Sequence, residues 1–433
     1  MLVRTPGATG TGRDVTRRDD LAMLESLRSV VRLRGIEVDP VARRLSRCAC
    51  VEDMRTVARR RLPRGVFDYV DGGAEGEASL ANNVASFGRI GLRPRVLRDV
   101  GEVDTTASVL GRAVPFPLVL APTGFTRMVD PAGELAVARA AAAAGLPYTL
   151  STLSTRSIEE VAGVSEGRKW FQVYVWRDRG LVKEMLERAR VAGYEAIVVT
   201  VDTAVLGRRE RDVRRGFTLP PRIGLDTVID GVRHPAWVWK LVRNEPIVFA
   251  NVAAAASTSR VSTAPADGTD PVTLSDYINS QFDPALSWAD IAWFRDAWAG
   301  PILLKGIQGV DDACLAADAG VDAVILSNHG GRQLDGAPAP IDLVAPVSDA
   351  LAGRVEVICD GGIRRGSDIF KALALGADAC MIGRAYLYGL AAGGEAGVTQ
   401  VLDDLASGLR RTMTLCGTTS IREIDRAFVA SEA

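Results

Sequence analysis

The chain has 433 residues, 47% apolar and 24% charged, with a formal net charge of −1. That length buries a large core without covalent staples, and the even charge balance argues against a nucleic-acid partner. The six cysteines show no C-x-x-C spacing, so they read as small buried hydrophobes in a reducing cytoplasm, with no disulfide framework and no metal site. No apolar h-region opens the sequence and no run nears the ~18 apolar residues of a spanning helix, so neither a signal peptide nor a transmembrane segment is expected.

Residues 1–50 are Arg-rich, at first patternless and then helical, and are expected to extend a domain over 51–433. Helical patterning begins properly at Val51 in VEDMRTVARRRL. From Pro117 a rhythm sets in. Short apolar, β-branched runs alternate with Ala/Glu/Arg-rich stretches. The runs are PLVLAPTG (117–124), PYTLST (147–152), KWFQVYV (169–175) and AIVVTVD (196–202), then PILLKGI (301–307), DAVILSN (322–328), EVICDGG (356–362) and ACMIGR (379–384). ELAVARAAAAAG, LVKEMLERARVAG, VDDACLAADAG and SDIFKALALGA lie between them and predict helices.

Near-continuous apolar strands between helices mean a parallel sheet covered on both faces. Eight β-α units predict an α/β protein of the (β/α)8 TIM-barrel class, with an N-terminal helical extension and a long loop after strand 4. A doubly wound open sheet fits less well, because chemically useful residues stand at the C-terminal end of nearly every strand, the active-site face of a barrel. Residues 203–286 are then an excursion over that face, with a Ser/Thr/Ala/Pro-rich middle (ASTSRVSTAPADGTDP). Within it, AWVWKLVRNEPIVF (236–249) interleaves Trp237, Trp239 and Phe249 with Lys240 and Arg243. Such a pattern suits a membrane surface or a neighbouring subunit, and core packing explains it equally well.

Of the two histidines, His234 and His329, the second follows strand 6 in SNHGGRQLD. An imidazole beside Arg332 suits proton abstraction from an anionic substrate, since the guanidinium grips a carboxylate with two parallel bonds. Asp202 ends strand 4, where a carboxylate can orient a histidine and stabilise its protonated form, and Arg209 follows in the loop. A solvated charge run is the plainer reading of Arg208, Arg209 and Arg211. Lys305 inside an apolar strand end requires an anion or an electron-rich ring. Gly/Arg turns after strands 7 and 8, with Arg364 and Arg384, point to a phosphorylated cofactor.

SNHGGRQLD, together with FDYVDGGAE, APTG, FQVYVW, TVDTAVLGRRE, LLKG, DGGIRRGSD and IGRA in that order, resembles the FMN-dependent 2-hydroxy-acid oxidases and dehydrogenases over about residues 51–429. The bacterial L-lactate dehydrogenases look most alike, whereas Leu153 makes glycolate oxidase a poor match. The resemblance implies FMN as cofactor and His329 as the base, with Asp202 as its partner. It makes Arg332 and Arg209 the carboxylate clamp, Tyr69 and Tyr174 the substrate hydroxyls, and Lys305 the charge beside the flavin N1/O2 edge. Pro122, Thr123, Gly124, Ser151, Gln172, Thr200 and Ser327 match the flavin contacts. Asp360, Gly361, Gly362, Ile363, Arg364, Gly383 and Arg384 match the ribityl and phosphate site.

The implied reaction converts a small L-2-hydroxy acid, lactate first, to the 2-keto acid, with electrons passing to a quinone or another separate carrier. Gly124, where oxidases carry Ala, favours that over the alternative, an oxygen-using oxidase that makes hydrogen peroxide from glycolate, mandelate or a longer acid. A flavin isomerase or a ligand-storing barrel would explain the phosphate site but not the His/Arg/Arg/Tyr/Tyr set. By analogy the protein is a tetramer. It is expected in the cytoplasm or peripherally on the inner membrane face.

Overall fold

The computed structural model describes residues 37–214, 225–252 and 280–431. The chain divides into two compact units, residues 1–43 and 44–433. Most of the expected N-terminal extension and the Ser/Thr/Ala/Pro-rich middle of the excursion lie outside the described residues.

In the larger unit eight parallel strands close into a barrel: β1 (Leu118–Leu120), β2 (Tyr148–Ser151), β3 (Lys169–Tyr174), β4 (Ala196–Thr200), β5 (Ile302–Ile307), β6 (Ala323–Leu326), β7 (Glu356–Asp360) and β8 (Ala379–Ile382). Neighbours in sequence are neighbours in space, and β8 pairs back on β1 through Cys380 opposite Leu118. Every residue of β1, β2, β4, β5, β6 and β8 is buried. One face of each strand fills the barrel and the other lies under helices, so the apolar runs show no alternation. This is the (β/α)8 barrel that the sequence predicts, and each of the eight runs contains one strand.

Among the described residues a short helix, Pro40–Leu45, and then α1 (Val51–Arg61), α2 (Arg64–Asp71) and α3 (Ala78–Gly88) precede the barrel. The covering helices are α4 (Gly133–Ala143), α5 (Ile158–Gly163) and α6 (Arg179–Val191) after the first three strands. The excursion carries α7 (Glu210–Arg214), α8 (Leu225–Arg233) and α9 (Pro235–Arg243), and α10 (Ala289–Ala297) leads into β5. Then follow α11 (Val310–Asp318), α12 (Pro340–Leu351), α13 (Gly366–Ala374), α14 (Arg384–Gly393) and α15 (Glu395–Cys416).

The two readings of the 236–249 aromatics divide by residue. Half-buried Trp237 donates its indole N–H to Met128 O at 2.8 Å, and Phe249 is buried against Phe125 with ring centroids 4.4 Å apart. Trp239 remains 58% exposed, beneath the Arg243 guanidinium at 3.9 Å. Lys240 anchors α9 through Asp130 at 2.7 Å.

Asp71, at the end of α2, is 3% exposed and ties the leading helices to the barrel. Its carboxylate accepts two hydrogen bonds from Arg55 (2.6 and 2.9 Å), one from Arg211 (3.0 Å) and one from the Tyr388 hydroxyl (2.7 Å). Burial alone would raise this carboxyl, but those donors more than offset it and hold the group at about 2. A depressed carboxyl stabilises the fold fully above its ordinary value of 3.8, and the contribution is lost as pH falls through about 2. Asp71→Asn should lower stability by about 3 kcal/mol in urea titrations at neutral pH. It should also flatten the acid limb of a stability–pH curve between 3.8 and about 2. A wild-type acid limb in the variant would contradict this.

Candidate active site

Beyond the end of β6 the chain turns sharply. His329, Gly330 and Gly331 all take left-handed backbone, with φ of 56°, 66° and 72°. For a histidine that conformation is uncommon, and neighbouring hydrogen bonds hold it there. Ser327 Oγ accepts the His329 N–H at 3.1 Å, and Asn328 Oδ1 accepts the Gly331 N–H at 2.9 Å. Asn328 in turn exchanges side-chain hydrogen bonds with Asn83 of α3 at 2.7 and 2.8 Å.

The turn aims His329 Nδ1 at Asp202 Oδ1, 3.0 Å away. With Nδ1 engaged, Nε2 is the nitrogen left for a ligand. The Asp202 side chain is only 3% exposed. Burial pushes its carboxyl up, but His329 and then Lys305 outweigh that, so it sits below its ordinary value. Its second oxygen, Oδ2, is buried with no hydrogen-bond partner. Gly306 makes room for this carboxylate, since a Cβ there would lie 2.7 Å from Asp202 Cβ and Cγ. Gln333, which the sequence reading does not single out, fixes the local backbone by donating to Asp202 O at 3.0 Å and Val205 O at 2.9 Å.

Two arginines face the same cavity. Arg332 donates to Tyr69 O at 2.6 Å and Gly72 O at 3.1 Å. Burial, with Arg209 nearby, pushes its guanidinium down to about 9. Arg209 pairs with Asp212 at 3.0 Å. Both guanidiniums stand over the Tyr69 ring, at 5.0 and 5.3 Å from its centroid. The Tyr174 phenol is raised by burial and, secondarily, by Asp202. Arg209 is thus a cavity residue, Arg211 is engaged by Asp71, and only Arg208 of the three is an exposed charge.

The cavity occupies about 1540 Å³, its open mouth included, at the C-terminal ends of the strands. Pro122, Thr123, Gly124, Gln172, Thr200, Lys305 and Arg364 line it, with Asp360, Gly361, Gly362, Ile363, Gly383 and Arg384. Three expected site residues do not line it: Asp202, Ser151 and Ser327. They stand one layer back and orient those that do. Ser151 Oγ donates to Gln172 Oε1 at 3.1 Å, and Gln172 Nε2 donates to Thr200 Oγ1 at 2.9 Å. Ser327 Oγ accepts from Lys305 Nζ at 2.9 Å and donates to Asp360 Oδ2 at 2.8 Å, while Lys305 Nζ lies 2.7 Å from Asp360 Oδ2. Phe125, Phe249, Phe282 and Leu206 also line the cavity, and no spacing in the sequence brings them together.

One end of the cavity fits a phosphate. Helix α14 starts there at Arg384, with Gly383 at its N-cap and no side chain capping its N–H groups. Arg364 Nε is buried without a hydrogen-bond partner, and its counter-charge, Glu52 Oε1, lies 3.6 Å away. Gly361 and Gly362, with φ of 127° and 82°, shape the adjoining turn. With Lys305 in mid-cavity, these residues fit a flavin bearing a single phosphate.

A family model described as FMN-dependent dehydrogenase matches residues 58–431. The chain belongs to this family. It is 45% identical over 418 residues to a Mycobacterium tuberculosis protein provisionally named an L-lactate dehydrogenase, covering 96% of each chain. It is 43% identical over 382 residues to the L-lactate dehydrogenase of Caulobacter vibrioides, covering 87% of this chain and 96% of that one. Among solved structures it resembles the monotopic membrane protein (S)-mandelate dehydrogenase, with a TM-score of 0.84 and 39% identity, over 89% of this chain and all of that one. A mandelate oxidase gives a TM-score of 0.74 at 39% identity, over 89% and 98% of the two chains. As a member of the FMN-dependent dehydrogenase family the protein is an oxidoreductase that uses FMN.

Gly362→Ala tests the phosphate end. Its Cβ would fall 1.9 Å from Asn83 O, in a backbone conformation that already disfavours any side chain. The turn must move, so FMN should bind at least about tenfold more weakly in a fluorescence titration, with the circular dichroism of the barrel retained. Unchanged FMN affinity would show that the turn does not hold the cofactor.

Proposed function

We propose that the protein oxidises a small L-2-hydroxy acid, L-lactate first, to the 2-keto acid and passes the electrons to a quinone or another separate carrier. The observation that carries this reading is the convergence of the His329–Asp202 pair, at 3.0 Å, with Arg209 and Arg332 on one cavity. Arg332 and Arg209 grip the substrate carboxylate, which relieves their mutual repulsion. His329 Nε2 takes the substrate proton, and Asp202 favours the imidazolium that results. Tyr174 and Tyr69 hold the substrate oxygens. FMN, when bound, would supply a two-electron acceptor. Lys305 would offer positive charge to the ring, and Arg364, Arg384 and the α14 N-terminus would hold its phosphate.

A second substrate reading has its own support. Phe125, Phe249 and Phe282 line the cavity, and such a surface suits an aromatic 2-hydroxy acid such as mandelate. Anaerobic mixing with each acid ranks the two by the rate at which the yellow colour bleaches. His329→Ala should keep its FMN and lose at least about 100-fold in that rate. Turnover within a few-fold of wild type would place the base elsewhere.

The acceptor follows from Gly124. A methyl group there would meet Leu153 O at 3.1 Å and Leu153 Cβ at 3.3 Å, so glycine leaves this face of the cavity open. The reduced enzyme should reoxidise quickly with a soluble quinone or dye and slowly in air-saturated buffer. Rapid, stoichiometric peroxide formation would make the protein an oxidase.

Peripheral membrane attachment through α9 fits the same picture. No helix among the described residues is long and apolar enough to cross a membrane. Exposed Trp239, Leu241 and Val242 on α9 stand beside Lys240 and Arg243.

A further inference from the structure

A second concavity lies outside the catalytic cavity, between α1, α2, α7 and α8, and encloses about 2220 Å³ with its open mouth included. Seven arginines line it against three aspartates, Asp68, Asp71 and Asp230, and Asp68 lies 3.8 Å from Arg211. Arg55 and Arg211 form its back wall and are engaged by the buried Asp71 carboxylate. Arg214 pairs with Glu210 on its own helix. Asp230 joins α8 to α2 by accepting the Arg64 backbone N–H at 2.5 Å, and its carbonyl oxygen lies 2.8 Å from His234 Nδ1. The side chains of Arg59, Arg60, Arg64 and Arg233 line the concavity, are exposed, and have no ion-pair partner among the described residues.

Four guanidiniums with no ion-pair partner among the described residues share this hollow and repel each other, in a chain whose overall net charge is only −1. Concave walls of low dielectric focus the resulting potential, so the hollow concentrates anions at its mouth. Guanidiniums pair with phosphate oxygens through two parallel N–H donors, and several of them together suit an anion that carries more than one charge. We propose that this hollow is a binding site for a phosphate-bearing anion, separate from the FMN phosphate site. It does not rest on the catalytic reading, because none of its arginines lines the catalytic cavity.

The phosphate has two sources. Helix α8, which supplies Arg233, also exposes Val228, Ile229 and Val232, an apolar edge suited to the acyl border of a phospholipid. A soluble phosphate compound would need only the arginines. The test uses the full-length, FMN-loaded protein at about 0.15 M salt, where weak surface attraction is screened. Binding is measured to inorganic pyrophosphate by calorimetry and to phosphatidylglycerol vesicles by co-sedimentation, with phosphatidylcholine vesicles as the neutral control. R59E/R60E/R233E should weaken the interaction at least about tenfold, since each basic residue near an anionic surface contributes on the order of 1 kcal/mol. R59Q/R60Q/R233Q replaces it if the charge reversal does not fold. A matched variant reversed elsewhere on the surface, R190E/R411E/R422E, should bind within about twofold of wild type. All folded variants should still bleach with substrate as wild type does, which separates failure here from failure of the catalytic reading. Vesicle binding without pyrophosphate binding identifies the lipid source, and pyrophosphate binding identifies the soluble one. Wild type binding neither probe, or a loss in the hollow variant no larger than in the matched one, overturns the proposal.

Discussion

The carbonyl oxygen of Gly72 accepts a hydrogen bond from Arg332 at 3.1 Å and another from Arg384 at 2.7 Å. One backbone atom at the end of α2 therefore holds two buried cations from different barrel loops. Arg384 also donates to Val70 O at 3.0 Å and Gly330 O at 2.8 Å, and Arg332 to Tyr69 O at 2.6 Å. Burial lowers both guanidiniums below their ordinary values. Neutral carbonyl dipoles position them but do not cancel their charge. These two guanidiniums thus make the barrel end electropositive before any ligand arrives, and a carboxylate at Arg332 or a phosphate at Arg384 would supply the missing charge. Arg332 and Arg384, the proposed substrate and phosphate cations, share this one fixed turn.

That dependence explains why the leading helices belong to the site although they precede the barrel. Asp71 locks α2 to α1, α7 and α14 through Arg55, Arg211 and Tyr388. Residues 69–72 then stand where Arg332 and Arg384 need acceptors. A pull on Asp71 would reach Tyr69 and both arginines through two residues of backbone.

The eight strands were legible in the sequence because each lies in a largely apolar run, as strands buried on both faces do. His329, Arg332, Lys305 and the Gly/Arg turns were legible because a barrel gathers chemistry at its strand ends. Spatial depth was not legible. Nothing in the spacing distinguishes Gln172, which meets the cavity, from Ser151 and Ser327, which orient their neighbours from behind. Phe125, Phe249 and Phe282 come from loops with no shared period, so only the folded chain makes them neighbours. Trp237 and Trp239 are two residues apart on a helix and so point to different sides, one toward Met128 and one outward.

The excursion after β4 is fastened at both ends. Gln333 grips Val205 where it leaves the barrel, and Arg127 donates to Glu245 O at 2.6 Å and Pro246 O at 3.3 Å farther along. Phe282 forms an isolated bridge with Trp176 where the chain returns. Loop-closure entropy grows only slowly with length, and the residues that meet the cavity lie at these fastenings. The sequence between α7 and Glu245, and that between Phe249 and Phe282, can therefore change in length or composition while His329, Asp202 and Arg209 keep their spacing. The barrel thereby carries a module that can vary independently of the chemistry beneath it.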